Sequence, residues 1–370
     1  MSKRIALLFA GQGAQTVGMG QDLAAKFPAV AELFASADQI LGRSLSQIAF
    51  TGPEEELVRV TAVGICGSDL HWYTESGIGD VSLSRPIVLG HEAAGVIESG
   101  PRRGQRVAID PAIPCEKCEQ CRAGHYHFCL ALHFAGDGAT DGTLREFVAW
   151  PTGSLIPVPD GLSDADVAML EPLGVALHAV RLGEIRPGDR VGVFGCGPIG
   201  LFLIQLARAS GATTIVATDV LPHRLAAARD AGATATALVA GGTERAELRA
   251  ATGGHGVDVA FEAAGVDDSV ETAVVLAAPG GTVVIVGIPS EDHTTFTASM
   301  ARRKGLTIKL SRRMNRVYPE AIRLVESGLA DVRAVVTASY PLADHEAAFA
   351  AAAAREGLKV VVNPSKPPAE

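Results

Sequence analysis

Four cysteines between residues 115 and 129 carry the clearest chemical signal in this sequence. Cys115, Cys118, Cys121 and Cys129 have the spacing C-x2-C-x2-C-x7-C. Turns of this kind point backbone N–H groups at the sulfurs, and four thiolates complete a tetrahedral Zn²⁺ shell with no open position. An iron–sulfur site would favour a short x3 gap and a Cys-Pro at the fourth position, and neither is present. The pattern therefore predicts a structural zinc site.

A glycine-rich turn, "VGVFGCGPIG", predicts a dinucleotide site. Gly195, Gly197 and Gly200 spell G-x-G-x-x-G between an apolar strand and a helix, and Asp219 closes the next strand. The first two glycines permit a tight turn and close approach of the pyrophosphate, which lies at the helix N-terminus. Asp219 would accept from the ribose 2′-OH and repel a 2′-phosphate. NAD is therefore preferred to NADP, although the nearby Arg224 can favour the phosphate.

The stretch "LGHEAAG" at residues 89–95 allows two incompatible interpretations. A nucleophile elbow would need a serine where Glu92 stands, and no G-x-S-x-G occurs in the chain. A metal site would instead use His91 and Glu92. Cys66, in "GICGSDLHWY", precedes His91 by 25 residues, and a Cys, a His and a carboxylate make an open zinc site if the fold brings them together. Taken alone, Cys66 is more often a small core residue, and His91 is more often a buried histidine whose hydrogen bonds are satisfied.

The elements around these residues indicate more than one domain. Residues 1–57 have the pattern of a strand, a glycine turn and helices, in which Pro28 divides one helix or opens a second. Short apolar runs broken by Gly, Pro and Asp follow, as expected for β-strands and loops. From Arg190 onward, strands and helices alternate, which specifies a parallel, doubly wound sheet. The terminal runs "VRAVVTASY" and "KVVVNP" could rejoin the first β region.

Composition excludes several classes of function. The chain has 370 residues, 48% of them hydrophobic, and a net charge of −9, with neither a basic stripe for nucleic acid nor an apolar run long enough for a membrane helix. The short apolar run in "MSKRIALLFAG" suits a buried first strand better than a signal peptide. Clustered cysteines indicate metal binding in a reducing compartment. We therefore expect a cytoplasmic protein.

From about Val58 to Pro364 the metal and glycine motifs together resemble the zinc-dependent medium-chain dehydrogenases, closest to the sorbitol and other polyol dehydrogenases. The resemblance implies a GroES-like, mostly β catalytic domain with a Rossmann domain. It also implies that Cys66 and His91 ligate a catalytic zinc, with Glu92, our first choice, or Glu171 as the carboxylate. If Glu92 is the ligand, Glu171 would be either a fourth ligand that exchanges with water or a base just outside the ligands.

The same resemblance assigns a proton relay and an oligomeric state. Ser68 occupies the position at which the family has a hydroxyl that receives the proton, and His71 matches the histidine that delivers it to solvent. Family members are oligomers, so a dimer or a tetramer is expected.

Residues 1–57 resemble a different family. "LLFAGQGAQTVGMGQDLAAKFP" and "FTGPEEEL" are similar to the start of malonyl-CoA:acyl carrier protein transacylases, in which Gln12 would help form the oxyanion hole. The resemblance ends before that family's catalytic residues begin, so the chain has the pattern of a fusion near "EEELVRV". The dehydrogenase part then lacks the family's opening strands, which predicts an unpaired sheet edge that "IALLFA" could fill.

The sequence thus predicts an α/β protein that transfers a hydride from a secondary alcohol or polyol to NAD. The expected units are a transacylase-like fragment (1–57), a zinc-binding catalytic domain (58–165), a Rossmann domain (166–310) and a C-terminal segment completing both domains (311–370). One alternative is an impaired fusion that binds NAD and zinc without turnover. The other is a malonyl transacylase, which lacks its serine.

Overall fold

In the part of the chain that the structure describes, three helices precede the first strand. The computed structural model describes residues 18–41, 45–51, 55–79, 81–289 and 293–365. The N-terminal helices are α1 (Gln21–Lys26), α2 (Pro28–Leu41) and α3 (Leu45–Thr51). Pro28 is the first residue of α2, where its fixed φ suits a helix start and its missing N–H costs nothing. Phe34 packs edge-on against Phe50, which joins α2 to α3. "IALLFA" and Gln12 lie outside the described residues.

A mostly β domain follows and contains most of the candidate metal ligands. Its elements are β1 (Glu55–Gly64), α4 (Gly67–Glu75), β2 (Gly77–Ile78), β3 (Val81–Ser82), β4 (Glu92–Ile97), β5 (Arg106–Ile109), β6 (Ala112–Ile113), α5 (Glu119–Arg122), β7 (His133–Phe134), β8 (Phe147–Pro151), β9 (Leu155–Pro157) and α6 (Asp164–Ala168).

The second domain alternates strands with helices. Its elements are α7 (Leu170–Gly183), β10 (Arg190–Phe194), α8 (Pro198–Ala209), β11 (Thr214–Asp219), α9 (Pro222–Ala231), β12 (Ala235–Leu238), α10 (Thr243–Ala251), β13 (Val257–Glu262), α11 (Asp267–Leu276), β14 (Ala277–Ile285), α12 (Ala298–Lys304) and β15 (Thr307–Leu310). The six strands form a parallel sheet in the order β12-β11-β10-β13-β14-β15. Helices cover both faces of the sheet, so its central strands are near-continuous apolar runs in the sequence. The predicted doubly wound sheet is confirmed.

The chain then returns to the first domain. Its last elements are α13 (Tyr318–Glu326), β16 (Val336–Pro341), α14 (His345–Ala354) and β17 (Lys359–Asn363). The strands β16 and β17 join the catalytic sheet, in the order β16-β17-β1-β4-β5-β9, with β8 also on β1. The prediction that the C-terminal runs rejoin the first β region is confirmed.

The first catalytic strand, β1, is paired along both of its edges. The strand β4 follows one edge, while β8 and β17 share the other. The expected unpaired edge is therefore wrong for β1, which begins at Glu55 and pairs with β8 from that residue onward. Within the described ranges, no helix combines the length and the apolar character needed to cross a bilayer.

Candidate active site and metal centres

The register between β1 and β4 brings the first group of metal-ligand candidates together. Gly64, the last residue of β1, faces Glu92, the first residue of β4. Cys66 and His91 lie just beyond these strand ends, so residues 25 apart in sequence meet in space. The ligand atoms of Cys66, His91 and Glu92 all lie within 4.8 Å of one another. A Cβ at Gly64 would approach Glu92 Oε2 to 2.0 Å, so only glycine leaves room for this carboxylate.

Asp69 fixes the orientation of two of these residues. Its Oδ2 accepts a hydrogen bond from the Cys66 N–H (2.9 Å), its Oδ1 accepts one from the Gly90 N–H (3.0 Å), and Oδ1 lies 3.5 Å from His91 Nδ1. This arrangement leaves His91 Nε2 available for a metal, as carboxylate partners of metal-bound histidines commonly do. Sequence reasoning missed Asp69, although an acidic residue three positions after a helix N-cap is a recognisable signal.

The Asp69–His91 pair is electrostatically strong because it is buried. Burial alone would raise the pKa of Asp69, but His91 and the backbone donors outweigh it and lower that pKa. Burial alone would lower the pKa of His91, but Asp69 and Cys66 hold it well above its usual value. A cation bound at Cys66 and His91 would replace the proton that this pair otherwise attracts.

Lys359 is the second residue that sequence reasoning missed. Its Nζ donates to both carboxylate oxygens of Glu92 at 2.7 Å and to the Ile65 carbonyl at 3.1 Å. Both side chains are buried. Burial alone would lower the pKa of Lys359, but Glu92 reverses the effect and raises it. No local pattern could have paired residues 267 positions apart.

The two candidate carboxylates differ in their surroundings. Glu92 belongs to the cluster with Cys66 and His91, whereas Glu171, on α7, lies outside the 4.8 Å group. Burial raises the pKa of Glu171 to about 7, and the Glu92 charge adds to this, while His91 lowers it. Glu171 is therefore close enough to act electrostatically on the site, and it is poised to exchange a proton near neutral pH.

The structure places the predicted relay residues on α4, directly after Cys66. Ser68 and His71 are three residues apart, so their side chains lie on the same face of the helix. His71 Nδ1 lies 3.1 Å from Glu75 Oε1, and the His71 side chain is partly exposed. Contact with solvent at His71 is what a relay to water requires. The relay roles themselves remain predictions.

The four-cysteine lobe is arranged for metal binding. The sulfurs of Cys115, Cys118, Cys121 and Cys129 all lie within 4.8 Å of one another, close to the roughly 3.8 Å edge of a tetrahedron with about 2.3 Å Zn–S bonds. Backbone N–H groups donate to two of the sulfurs, with Cys115 N 3.2 Å from Cys129 Sγ and Cys118 N 3.4 Å from Cys115 Sγ. Hydrogen bonds from the Cys121 and Leu130 backbone lower the pKa of Cys118 to about 6. A thiolate at neutral pH is the state that a metal binds.

The three glycines of the nucleotide turn have separate reasons to be glycine. Gly195 has a φ of 102°, and a Cβ there would meet the backbone of Ala263 at 2.8 Å. A Cβ on Gly200 would approach the Gly195 carbonyl to 1.9 Å, so this glycine packs the turn against α8. A Cβ on Gly197 would meet only the Arg224 guanidinium, at 3.7 Å. Gly197 therefore keeps open the space at the N-terminus of α8, where a pyrophosphate would lie.

Asp219 and Arg224 lie at the same end of the sheet. Asp219 is the last residue of β11. Its carboxylate accepts hydrogen bonds from the Cys196 N–H (2.8 Å) and the Leu221 N–H (2.9 Å). Arg224 Nη1 is 4.0 Å from Asp219 Oδ2. Burial lowers the pKa of Arg224, and Asp219 opposes that effect. The carboxylate thus neutralises much of the charge that would attract a ribose 2′-phosphate, which favours NAD. Cys196 is buried, as expected for a packing residue.

Comparison with known families assigns both domains. Residues 52–160 match the alcohol dehydrogenase GroES-like domain, and residues 198–327 match the zinc-binding dehydrogenase domain. The chain belongs to the zinc-dependent medium-chain alcohol dehydrogenases. The probable D-xylulose reductase A of Arthroderma otae is 40% identical over 83% of this chain and 89% of its own length. The sorbitol dehydrogenase of Bacillus subtilis is 35% identical over 85% and 91%.

Solved structures agree with this membership in the dehydrogenase family. The L-idonate 5-dehydrogenase of Escherichia coli superposes with a TM-score of 0.77 at 30% identity, covering 84% of this chain and 92% of its own. An Escherichia coli oxidoreductase of unknown specificity gives 0.79 at 32% identity, covering 85% and 93%. The chain is therefore a zinc-dependent oxidoreductase with a GroES-like domain and a Rossmann domain, and its cofactors are zinc and NAD.

Both cofactors suit the residues of this dehydrogenase. One thiolate, one imidazole and one carboxylate from Cys66, His91 and Glu92 leave a fourth position open, as catalytic zinc sites do. The four-sulfur lobe is closed and suits a structural ion. The open space beside Gly197 suits the pyrophosphate of NAD, and the carboxylate of Asp219 suits its ribose.

Proposed function

We propose that this dehydrogenase transfers a hydride from a secondary alcohol of a polyol to NAD, with one catalytic and one structural zinc ion. The convergence of Cys66, His91 and Glu92 at the ends of β1 and β4 is the observation that carries the proposal. Relatives named as a xylulose reductase and a sorbitol dehydrogenase support a polyol as the substrate.

The chain's own residues would orient the cofactors and move the proton. Cys66 and His91 would hold the catalytic zinc, with Glu92 as the carboxylate and Asp69 fixing the geometry. A bound zinc ion would supply Lewis acidity that lowers the pKa of a substrate hydroxyl. Ser68 would accept that proton, and His71 would pass it to solvent from the exposed side of α4.

Zinc content and NADH formation test the proposal together. Protein purified without added metal or chelator should contain two zinc ions per chain and reduce NAD with xylitol or sorbitol. Cys66→Ser should retain one ion and lose activity by at least 10³-fold, because the ion is a direct participant in the chemistry. Ser68→Ala should lower kcat by roughly 10²-fold or more, while Ser76→Ala, just beyond α4, serves as the control.

Two zinc ions without oxidation of any polyol, secondary alcohol or diol would refute the enzymatic proposal. That outcome would support an impaired fusion that binds NAD and zinc. A chain that never holds more than one ion would refute the catalytic metal site instead.

We also propose that residues 1–51 are a transacylase-like fragment fused to the N-terminal end of a dehydrogenase that begins near residue 52, earlier than the boundary after residue 57 that the sequence predicts. The GroES-like family match starts at residue 52, and β1 begins at Glu55. Removal of residues 1–51 should leave polyol oxidation and zinc content unchanged within twofold. Loss of folded protein on that deletion would contradict the proposal. The cytoplasmic location remains a prediction.

A homo-oligomer is the final part of the proposal. The strand β15 is the last in its six-stranded sheet, and Leu310 on it is 73% exposed. An exposed apolar edge strand is a template for pairing with a second copy. Leu310→Glu should therefore reduce the mass measured by light scattering, whereas Leu329→Glu, beyond α13, should not. A wild-type monomer would refute this part alone.

A further inference from the structure

A short segment after β15 connects the two domains. Arg313 and Arg316 have φ values of 54° and 50°, in the left-handed region that non-glycine residues seldom adopt. The conformation costs on the order of 1–2 kcal/mol per residue, so contacts elsewhere must hold it. Both guanidinium groups provide such contacts, because each one stacks on an aromatic ring and pairs with a carboxylate of the catalytic domain.

Arg313 reaches the neighbourhood of the catalytic metal site. Its guanidinium carbon lies 3.8 Å from the centre of the Phe134 ring and pairs with Asp137. Phe134 also lies beside His91, with ring centres 5.4 Å apart. The Glu171 charge also acts on Arg313. A continuous set of contacts therefore runs from the segment after the Rossmann sheet to a candidate zinc ligand.

Arg316 makes the equivalent contacts at a different place. Its guanidinium carbon lies 3.4 Å from the centre of the Tyr126 ring, and its Nη2 lies 3.4 Å from Glu116. Tyr126 belongs to the cysteine lobe, between Cys121 and Cys129. The two arginines thus share backbone conformation, ring stacking and ion pairing, and they differ in the metal site that their ring adjoins.

We propose that Arg313 is a positioning residue that acts through Phe134 to hold the His91 imidazole in its metal-binding orientation. The inference rests on the proposed catalytic metal site at Cys66 and His91. Asp69 fixes the Nδ1 side of the imidazole by its carboxylate, and that contact alone still allows the ring to tilt about an axis through Nδ1. The Arg313 guanidinium holds the Phe134 ring in place. Phe134 then limits the tilt of the imidazole from a second direction.

Cobalt substitution tests the proposal without depending on turnover. Co²⁺ bound to one thiolate and one imidazole gives visible bands that report ligand geometry, and comparison with Cys66→Ser assigns those bands to the catalytic site. Arg313→Gln should weaken Co²⁺ binding there by about 10- to 100-fold, as loss of outer partners of metal ligands commonly does, and should shift the bands. Arg316→Gln, the matched control, should change affinity less than twofold and leave the bands unchanged. Arg313→Lys should restore most of the affinity, since an ammonium can keep both the ring contact and the ion pair.

A double-variant comparison establishes the route. If Arg313 acts through Phe134, then Phe134→Leu should reproduce the Co²⁺ defect, and Arg313→Gln with Phe134→Leu should be no worse than either single variant. Additive losses, or equal losses for Arg313→Gln and Arg316→Gln, would overturn the inference. Should Arg313→Gln not fold, an unaltered cobalt spectrum in Phe134→Leu would overturn it equally, and a shifted one would support it. A wild-type protein with no Co²⁺ band dependent on Cys66 would instead refute the catalytic metal site itself.

Discussion

Replacing Lys359 with methionine should destabilise the catalytic domain strongly in the metal-free protein. Lys359 is buried, and its three hydrogen bonds end on Glu92 Oε1, Glu92 Oε2 and the Ile65 carbonyl. Methionine fills a similar volume but donates nothing. The substitution therefore leaves one carboxylate and one carbonyl buried without their described partner.

The size of the effect follows from the charge left behind. Breaking a buried ion pair by removing one partner typically costs about 3–5 kcal/mol, most of it from the uncompensated charge. Lys359→Met combined with Glu92→Gln removes that charge and should recover more than half of the loss.

Tryptophan fluorescence during urea unfolding measures this domain selectively. Both tryptophans of the chain, Trp72 and Trp150, are buried in the catalytic domain. Chelator must be present, because a bound cation would itself compensate Glu92. Lys304→Met is the control, since Lys304 donates to three backbone carbonyls at the end of α11 in the other domain. A loss below about 1 kcal/mol in Lys359→Met, or no recovery in the double variant, would refute the reasoning.

Three further outcomes are expected. Cys118→Ser should remove one zinc ion per chain by elemental analysis and leave the Cys66-dependent cobalt bands in place. Gly200→Ala should destabilise the Rossmann domain in thermal unfolding, because the new Cβ would lie 1.9 Å from the Gly195 carbonyl oxygen. Gly197→Ala should fold normally but lose NAD affinity by about tenfold or more, as measured by calorimetry. Because the pKa of Glu171 is raised to about 7, metal-free protein should lose up to about 3 kcal/mol between pH 4.5 and 7, and Glu171→Gln should remove this slope.

Local spacing was sufficient to predict the motifs whose residues lie close together in sequence. The four cysteines span fifteen residues, and the glycine turn is a single strand–turn–helix unit. In both motifs the local backbone conformation sets the geometry, so that geometry depends little on the rest of the fold. The doubly wound sheet was predictable for a similar reason, because strands buried on both faces are continuous apolar runs.

The residues that support the metal site were not predictable in this way. Lys359, Phe134 and Arg313 reach it from three separate parts of the chain, and each is ordinary in its own sequence context. The expected open edge at β1 failed for the same reason, since its partners β8 and β17 follow much later in sequence. Pairing over such distances is decided by tertiary packing.

The position of Lys359 in the last strand also has a consequence during synthesis. Lys359 and the Ile65 carbonyl that it binds are separated by 294 positions, so a ribosome adding about 5–20 residues per second needs roughly 15–60 s to connect them. During that interval one edge of β1 is not paired with β17, and the Glu92 carboxylate lacks the Lys359 ammonium. The proposed catalytic zinc site at Cys66, His91 and Glu92 is therefore among the last parts to mature, after the Rossmann domain has been translated. Nascent chains stalled before residue 359 should bind zinc poorly at that site.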